Sequence, residues 1–326
     1  MVGVERSVVE RLAASRASAT AVILPPVRTK RNLPALAAHV RALRRLRPDI
    51  LHANLATPAS GQYALLAAAL VPGIRTVAVE QLPYRLDGRL QLGLKRFTSA
   101  RLAAHVAVGL QAARDVEAFV GLPPGSVRTI PNGVPDLQLE PLPRAFAGPT
   151  IGSLGRLDRQ KGYDVLLDAL PELPEVGLVL VGDGPERAAL EHHVRTHGLE
   201  SRVLFVGWQE QARRHLTTFD VFALPSRFEG FPLSVVEAML ARLPVVASAT
   251  GSMPESVRDG ETGLLVPAGN SRALAAALRR LLDDPALRSQ LGERGRELAV
   301  ARFTAAEMSR SFERLYEEIC PEPPQR

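Results

Sequence analysis

The feature that most constrains the fold is an alternation of short apolar runs with longer amphipathic runs along the whole chain. Short runs rich in Val, Ile and Leu lie at residues 21–24, 50–52, 76–79, 105–108, 127–130, 150–154, 177–181, 203–206, 221–224, 245–247 and 263–266. Helical patterns between them include residues 163–170, 185–197, 233–240 and 273–282. Strands that alternate with helices predict an α/β fold, with parallel sheets covered by helices on both faces.

A proline-rich stretch divides this pattern into two series. Residues 133–149 contain four prolines, among them Pro135 and Pro149, and show no helix or strand period. Such a composition is typical of a linker. A chain of 326 residues is also long enough for two domains of ~150 residues each. We therefore predict a first domain at residues 1–145 and a second domain that begins at residue 146.

The composition excludes several classes of protein. Cys320 is the only cysteine, so a disulfide scaffold is impossible. Apolar residues make up 46% and charged residues 23%, which excludes wholesale disorder. The longest apolar stretch, residues 63–74, is shorter than the ~20 residues that a membrane span needs. Glu5 and Arg6 lie where a signal peptide would be apolar. We expect a cytoplasmic protein.

The positive charge is concentrated in the first domain. Residues 1–145 hold 19 Lys and Arg against 9 Asp and Glu, whereas residues 146–326 hold 21 against 25. The densest basic cluster consists of Arg28, Lys30, Arg31, Arg41, Arg44, Arg45 and Arg47. It is either an ordinary solvated face or a surface for peripheral contact with the inner face of an anionic membrane. Nucleic acid is disfavoured because only 5% of residues are aromatic and no nucleic-acid motif is present.

The first motif that indicates chemistry is residues 152–162, Gly-Ser-Leu-Gly-Arg-Leu-Asp-Arg-Gln-Lys-Gly. A strand ends here, glycines open a loop, and a helical pattern follows. Small residues allow a ligand to approach the backbone, and Arg156 and Lys161 can hold an anion such as a diphosphate. The alternative is a tight turn with ordinary surface cations.

The second motif is residues 229–237, Glu-Gly-Phe-Pro-Leu-Ser-Val-Val-Glu. Pro232 suits the first turn of a helix, so backbone N–H groups at this helix start would be open to an anion. Glu229 and Glu237 would then accept hydrogen bonds from hydroxyl groups, such as those of a ribose or a hexose. Solvated carboxylates are the alternative.

Together these segments resemble the retaining glycosyltransferases of family 4. The resemblance covers about residues 150–302, and its motifs are Gly155-Arg156-Leu157, Lys161-Gly162, Gly182-Asp183-Gly184-Pro185, Phe205-Val206-Gly207, Pro225-Ser226, Glu229-Gly230-Phe231-Pro232, Glu237-Ala238, Gly251, Pro254-Glu255 and Gly263-Leu264-Leu265. It implies the GT-B fold, in which two Rossmann-like domains face a cleft. The second domain would end at residue 302, a helix at 303–320 would cross back to the first domain, and 321–326 would form a tail.

The resemblance also implies roles for residues of the second domain. A nucleotide-diphosphate sugar would be the donor co-substrate, with no metal or other cofactor, and a glycan, lipid-linked or small molecule would be the acceptor. The implied catalytic residues are Glu229 near the donor sugar and the diphosphate ligands Arg156 and Lys161. Further implied contacts are backbone groups of Gly230, Phe231 and Leu233 at the diphosphate, Glu237 at the ribose and Val206 at the base. Trp208 follows Val206 closely, and we expect it to pack rather than to flank the base.

The first domain resembles the family less closely. Pro131-Asn132-Gly133-Val134 and residues 48–54, which end on His52-Ala53-Asn54, are similar to family signatures. Gly3 and Glu5 resemble the end of a glycine-rich loop that normally follows a first strand, so we expect this strand to be missing.

A histidine of the family is replaced here by Glu80 and Gln81. We expect Gly3, Glu5, His52, Glu80 and Gln81 near the cleft, with His52 at a strand's carboxyl end. Glu80 could act as a base and Gln81 could bind a sugar hydroxyl. The predicted function is sugar transfer with retention of anomeric configuration. The alternatives are a non-catalytic nucleotide-binding descendant or a nucleotide-sugar hydrolase or epimerase.

Overall fold

The structure, a computed structural model, describes residues 1–14, 19–27 and 32–321. The chain divides into two compact units. Unit 1 comprises Met1–Ala107, Ala113–Arg128 and the chain from Arg314 onward. Unit 2 comprises Val108–Ala112 and Thr129–Glu313. Each unit has its own parallel sheet, as the alternating pattern predicts.

The elements up to residue 129 follow the predicted alternation. Their strands are β1 (Val2–Gly3), β2 (Val22–Ile23), β3 (Ile50–Leu55), β4 (Arg75–Glu80), β5 (Ala104–Ala107) and β6 (Arg128–Thr129). Their helices are α1 (Arg6–Ala14), α2 (Leu33–Leu46), α3 (Gln62–Ala69), α4 (Arg89–Ser99) and α5 (Leu110–Val120).

Two sheets organise these strands. The larger has the order β3-β4-β5-β6, and β1 pairs with β2 in parallel in a separate sheet. Leu55, Leu65 and Ala78 form part of the core beneath the larger sheet. Gly3 was predicted to lie in a loop, but it pairs with Ile23 as part of β1. Glu5 lies between β1 and α1 and is exposed.

The later elements form a longer α/β series. The strands are β7 (Thr150–Leu154), β8 (Gly177–Val181), β9 (Val203–Gly207), β10 (Val221–Leu224), β11 (Val245–Ser248) and β12 (Leu264–Val266). The helices are α6 (Tyr163–Ala169), α7 (Arg187–Thr196), α8 (Leu233–Leu240), α9 (Met253–Ser256), α10 (Ser271–Asp283), α11 (Pro285–Arg302) and α12 (Ala305–Ile319). Short 3₁₀ helices lie at Arg159–Lys161, Leu170–Glu172 and Ala212–Thr218.

The sheet of unit 2 has the order β12-β11-β10-β7-β8-β9, and its paired strands are parallel. Strands β7, β8, β10 and β11 are buried along their whole length, which explains why their sequences are apolar without alternation. Helices α6 and α10 pack their apolar faces on this sheet, with Leu166 and Leu278 in the common core.

The segment before the predicted boundary at residues 145–146 belongs to unit 2 from Thr129 onward. Several of its contacts are with other parts of that unit. Val134 forms a bridge with Thr304, and the Leu142 N–H donates to the Thr217 hydroxyl at 3.1 Å. Arg144 forms an ion pair with Asp220. The proline-rich stretch is therefore aperiodic but attached to unit 2.

The last helix also differs slightly from its prediction. α12 begins at Ala305 rather than at residue 303. Just before this start, the Thr304 hydroxyl accepts a hydrogen bond from the Glu307 N–H at 3.2 Å. Its residues up to Glu313 belong to unit 2, and those from Arg314 belong to unit 1.

The basic cluster is partly described. Arg28, Lys30 and Arg31 lie outside the described residues, whereas Arg41, Arg44, Arg45 and Arg47 are exposed on α2 or directly after it. Within the described part of the chain, no helix is both long and apolar enough to cross a membrane.

Candidate active site

The candidate site lies in the sheet of unit 2, at the point where the order of strand addition reverses. β7 and β10 are neighbours at the centre of this sheet. The chain continues from β7 to β8 and β9 on one side, and from β10 to β11 and β12 on the other. Open α/β sheets bind ligands at the carboxyl ends of the strands at such a switch point, so the loops after β7 and β10 mark the candidate site.

The loop after β7 carries the two predicted diphosphate ligands. Asp158 caps the 3₁₀ helix Arg159–Lys161 by accepting from the Lys161 N–H at 3.2 Å. The same carboxylate forms a 2.6 Å ion pair with Arg156, whose side chain is 69% exposed. Arg156 is thus a solvated cation that a ligand could recruit, and its ion pair with Asp158 keeps it at the loop.

Lys161 and Glu229 are in contact although they are 68 residues apart. Lys161 Nζ lies 2.7 Å from Glu229 Oε1, and the Ser226 hydroxyl donates to the same oxygen at 2.7 Å. Glu229 is 5% exposed. We call Lys161, Ser226 and Glu229 the switch-point cluster. It places one cation and one hydrogen-bonded carboxylate together in a largely buried position.

Arg227 holds the loop after β10 against the loop after β7. Its guanidinium donates to Asp164 at 2.6 and 2.8 Å and to the Arg159 carbonyl at 3.0 Å. The hydrogen bond from Arg227 is the main cause that lowers the pKa of the Asp164 carboxyl, so this carboxylate stays charged at neutral pH. These contacts fix the position of Lys161 relative to Glu229.

Two glycines allow the loops to approach this closely. Gly162 has a φ of +67° and Gly251 has a φ of +52°, a left-handed conformation that favours glycine. A Cβ on Gly162 would overlap the Pro225 carbonyl oxygen, and a Cβ on Gly251 would overlap the Glu229 carbonyl oxygen. The glycines of the sequence motifs are thus required by backbone packing around the switch-point cluster.

The start of α8 adds backbone donors next to Glu229. Pro232 is the N-cap residue and provides no side-chain cap, so the first N–H groups of α8 depend on other acceptors. Leu233 is 43% exposed at this helix start. Phe231 turns its ring into the core, where it packs edge-on against Phe303 at 5.4 Å between centroids. Gly230 and Phe231 can therefore contribute to a site through their backbone alone.

Glu237 lies farther along α8 and has a cationic partner. Arg213 Nε donates to Glu237 Oε1 at 2.8 Å, and Arg213 also donates to the Pro135 carbonyl at 3.1 Å. Burial raises the pKa of the Glu237 carboxyl, and the adjacent guanidinium opposes that rise. Glu237 forms part of the wall of a cleft of about 650 Å³ whose other sides are residues 137–140 and 210–214.

Val206 lies near the carboxyl end of β9, in the strand next to β8. The Gly182 N–H donates to the Gly207 carbonyl at 2.9 Å, which ties this end of β9 to the glycine-rich loop after β8. The expectation that Trp208 packs is wrong, because this residue is 73% exposed. Trp208 directly follows the last residue of β9.

Of the residues predicted in the first domain, Glu80 and Gln81 lie at the carboxyl end of β4, whereas His52 does not lie at the end of its strand. Gln81 directly follows β4, and its amide donates to Asn54 Oδ1 at 2.7 Å. His52 lies in the middle of β3 rather than at its end, because β3 continues to Leu55 through pairing with β4. His52 is hydrogen-bonded to the Tyr316 hydroxyl of α12 within unit 1.

Glu80 is not available as the base that the sequence suggested. It is the last residue of β4 and is fully buried, with Lys95 Nζ and His105 Nε2 on the same carboxylate oxygen. Burial raises the pKa of Glu80, but the His105 hydrogen bond and the Lys95 charge outweigh it and lower the pKa. This carboxylate balances a buried cation, so we assign it to the interior of unit 1.

The sequence interpretation missed three residues of the site. Asp158 and Ser226 lie within recognised motifs. Aspartate is a common helix N-cap and the serine hydroxyl can donate a hydrogen bond, so both roles could have been predicted from the sequence. Arg213 lies in an irregular polar segment without a motif, and only the fold brings it to Glu237. Among the described residues, no group of three His, Cys, Asp or Glu side chains could hold a metal ion. The groups suited to a ligand here are anion and hydroxyl binders.

The fold and the site together define a class of protein. The structure resembles the crystal structure of Anabaena HepE in complex with UDP-glucose, with a TM-score of 0.79 and 21% identity over 95% of this chain and 88% of that one. This is a likeness of fold, the two-domain GT-B architecture. The profile "Glycosyl transferases group 1" matches residues 142–298, and "Glycosyltransferase Family 4" matches residues 4–136.

Curated relatives place the chain within this class. The 2-deoxystreptamine glucosyltransferase of Streptomyces kanamyceticus is 31% identical over 285 residues, which cover 77% of this chain and 73% of the relative. The lipopolysaccharide core biosynthesis glycosyltransferase LpsE of Rhizobium meliloti is 36% identical over 156 residues, 48% of this chain and 46% of LpsE. The match thus spans about half of LpsE. The chain belongs to the GT-B glycosyltransferases.

Proposed function

We propose that the chain transfers a hexosyl group from a nucleotide-diphosphate sugar to an acceptor and retains the anomeric configuration, as an enzyme of family 4. The observation that carries the proposal is the switch-point cluster beside the open start of α8. A cation, a hydrogen-bonded carboxylate and the backbone N–H groups of a helix start suit a ligand that is both anionic and rich in hydroxyls. The HepE complex with UDP-glucose supports the same donor class.

The proposed chemistry follows from these groups. Arg156, Lys161 and the backbone N–H groups of Gly230, Phe231 and Leu233 bind the diphosphate and stabilise the negative charge that develops as it departs. Glu229 accepts a hydrogen bond from a donor-sugar hydroxyl once the diphosphate draws Lys161 away. Glu237 binds the ribose hydroxyls, and the base lies near Val206. No metal takes part, because protein cations and helix donors perform the charge stabilisation.

Retention is proposed to occur without a covalent intermediate. With Lys161 at the diphosphate, Glu229 would still accept hydrogen bonds from Ser226 and from a donor-sugar hydroxyl, which lower its nucleophilicity. The acceptor oxygen would then attack from the face that the diphosphate leaves, and a diphosphate oxygen would take the acceptor proton. The bond from the anomeric carbon to the phosphate oxygen breaks, and the bond to the acceptor oxygen forms.

The test is a turnover assay in chelator with UDP-, GDP-, ADP- and TDP-linked hexoses and a panel of glycan, lipid-linked and small-molecule acceptors. Product anomers are assigned by proton NMR. Acceptor-dependent product with the donor's configuration supports the proposal, and the opposite configuration contradicts retention. Free sugar formed regardless of acceptor would indicate a hydrolase, and an isomerised donor would indicate an epimerase. Binding without turnover would indicate a non-catalytic nucleotide-binding protein.

We also propose that unit 1 contacts the cytoplasmic face of an anionic membrane. α2 contains no acidic residue, and Arg41, Arg44 and Arg45 are exposed on it together with Leu33 and Leu46. Basic residues near exposed leucines suit a surface of acidic lipid headgroups. The chain should sediment with vesicles that contain phosphatidylserine and detach as salt rises. Binding that is insensitive to salt, or equal with neutral lipid, would leave the arginines as a solvated face.

A further inference from the structure

Arg213 and Glu237 contact each other at the large cleft of unit 2. The cleft volume of about 650 Å³ lies within the range of small-molecule sites. Its wall contains Glu237 from α8 and Arg213 from the 3₁₀ helix Ala212–Thr218. No sequence motif assigns a role to Arg213, so this contact is a property of the fold.

Arg213 is held at two points that lie in different segments. Its Nε donates to Glu237 Oε1 at 2.8 Å, while its terminal nitrogen donates to the Pro135 carbonyl at 3.1 Å. The side chain is 25% exposed, and that of Glu237 is 17% exposed. A planar guanidinium that donates from Nε to a carboxylate and from a terminal nitrogen to a backbone carbonyl sets the orientation of that carboxylate.

This arrangement leaves a carboxylate whose charge and direction are both set before a ligand arrives. A half-buried glutamate without a cation would tend to take up a proton, and a protonated carboxyl is a poorer acceptor for a hydroxyl. Arg213 donates to Oε1 of Glu237. Hydroxyl groups in the cleft would then donate their hydrogen bonds mainly to the other carboxylate oxygen. A vicinal diol is the group that such an acceptor suits.

We infer that Arg213 is a positioning residue that orients Glu237 towards the ribose hydroxyls of the donor nucleotide. The inference rests on the proposed function and extends it to a residue outside the recognised motifs. Arg213 itself need not touch the ligand. Its effect should therefore depend on two features, the presence of the ribose hydroxyls and the presence of the Glu237 carboxylate.

The experiment measures affinities of UDP, GDP and ADP, each in its ribose and its 2′,3′-dideoxyribose form, by calorimetry. Wild type should prefer the ribose form of its nucleotide by about tenfold or more, the usual effect of hydrogen bonds to a charged group. Arg213→Ala should reduce this preference to about threefold or less. In a Glu237→Gln background, the further change Arg213→Ala should leave the preference unaltered.

Arg214→Ala is the matched control. Arg214 is the next residue, lines the same cleft and pairs with Glu140 at 3.4 Å instead of Glu237. Its removal takes away the same charge, so it can weaken both nucleotide forms but should keep their ratio. Thermal unfolding establishes that each variant is folded. A purely structural role for Arg213 would likewise lower both affinities in parallel.

The outcomes separate the two claims. If wild type binds none of the three nucleotides and a parallel titration with TDP also shows no binding, the proposed function fails and the inference fails with it; if only TDP binds, the inference alone fails. If wild type binds but does not distinguish ribose from dideoxyribose, donor binding stands and the role of Glu237 is wrong. If wild type makes the distinction and Arg213→Ala retains it, Arg213 is not a positioning residue.

Discussion

At the scale of single residues, the proposed chemistry depends on the contact between Lys161 and Glu229. In the structure these side chains neutralise each other at 2.7 Å. A diphosphate would compete for Lys161 and release Glu229 towards a sugar hydroxyl. The two side chains should therefore affect different steps, and substitutions can separate them.

Lys161→Ala should weaken nucleoside-diphosphate binding by about 1.5–3 kcal/mol, because a charge-assisted contact is lost. Calorimetric titration in chelator measures the change. Arg159→Ala is the matched control, since Arg159 is an exposed cation in the same 3₁₀ helix. An equal effect of both variants would mean that general positive charge, and not a contact with Lys161, binds the nucleotide.

Glu229→Gln should lower turnover more than nucleotide affinity. The amide retains the size of the side chain and can still accept from Ser226, but it loses the charge that would strengthen a hydrogen bond to the sugar. Steady-state kinetics gives kcat, and titration with the nucleoside diphosphate gives the Kd. If kcat and affinity fall by the same factor, Glu229 acts in nucleotide binding or folding rather than on the sugar.

At the scale of elements, the close approach of loops makes Gly251 critical. A Cβ at this position would overlap the Glu229 carbonyl oxygen. Gly251→Ala should therefore displace the loop before α8 and strongly reduce nucleotide binding. Gly198→Ala is the control, because Gly198 has a similar φ of +63° and open space around it.

Both substitutions introduce backbone strain of about 1–2 kcal/mol, so both should lower the melting temperature. Only Gly251→Ala should also lower nucleotide affinity, which titration of the folded variants measures. Equal affinities in the two variants would mean that the packing of Gly251 against Glu229 does not support the site.

The buried ion pair of β4 and α4 predicts a pH dependence of stability in unit 1. The pKa of Glu80 is lowered in the folded state by His105 and Lys95, which outweigh its burial. Glu80 therefore contributes stability above the pKa of an ordinary glutamate, and this contribution is lost as pH falls through the lower folded pKa. The free energy of unfolding should decline in that acidic range.

Glu80→Gln should remove this part of the pH dependence and lower stability at neutral pH by about 3–5 kcal/mol, because Lys95 stays buried without a counter-charge. Denaturant unfolding at a series of pH values measures both effects. A variant with the same pH profile as wild type would show that Glu80 is not ionised in the folded protein.

At the scale of the whole molecule, the sequence predicted the α/β fold because buried parallel strands leave apolar runs that local pattern reveals. Lys161 and Glu229 were also accessible as candidate site residues, since glycines and charged residues mark each of them in a separate motif, but their contact with each other was not predicted. Contacts set by tertiary packing were not accessible. Glu80 lies 15 and 25 residues from its partners, and its strand was expected to end one residue earlier.

The position of the linker shows the same limit. Proline and the lack of a period identified the segment around residues 133–149, but they carry no information about the unit to which it attaches. That attachment depends on individual hydrogen bonds, such as the one from Leu142 to Thr217. The contacts of Arg213 could not be predicted for the same reason, because they join its own 3₁₀ helix to Glu237 of α8 and to the Pro135 carbonyl.

The most direct test of the central claim is calorimetric titration of the whole chain with UDP, GDP, ADP and TDP in the presence of chelator. At least one of them should bind saturably without metal. The affinity should fall in Lys161→Ala and be maintained in Arg159→Ala. A folded chain that binds none of the four would contradict the donor site at the switch point and the proposed function that depends on it.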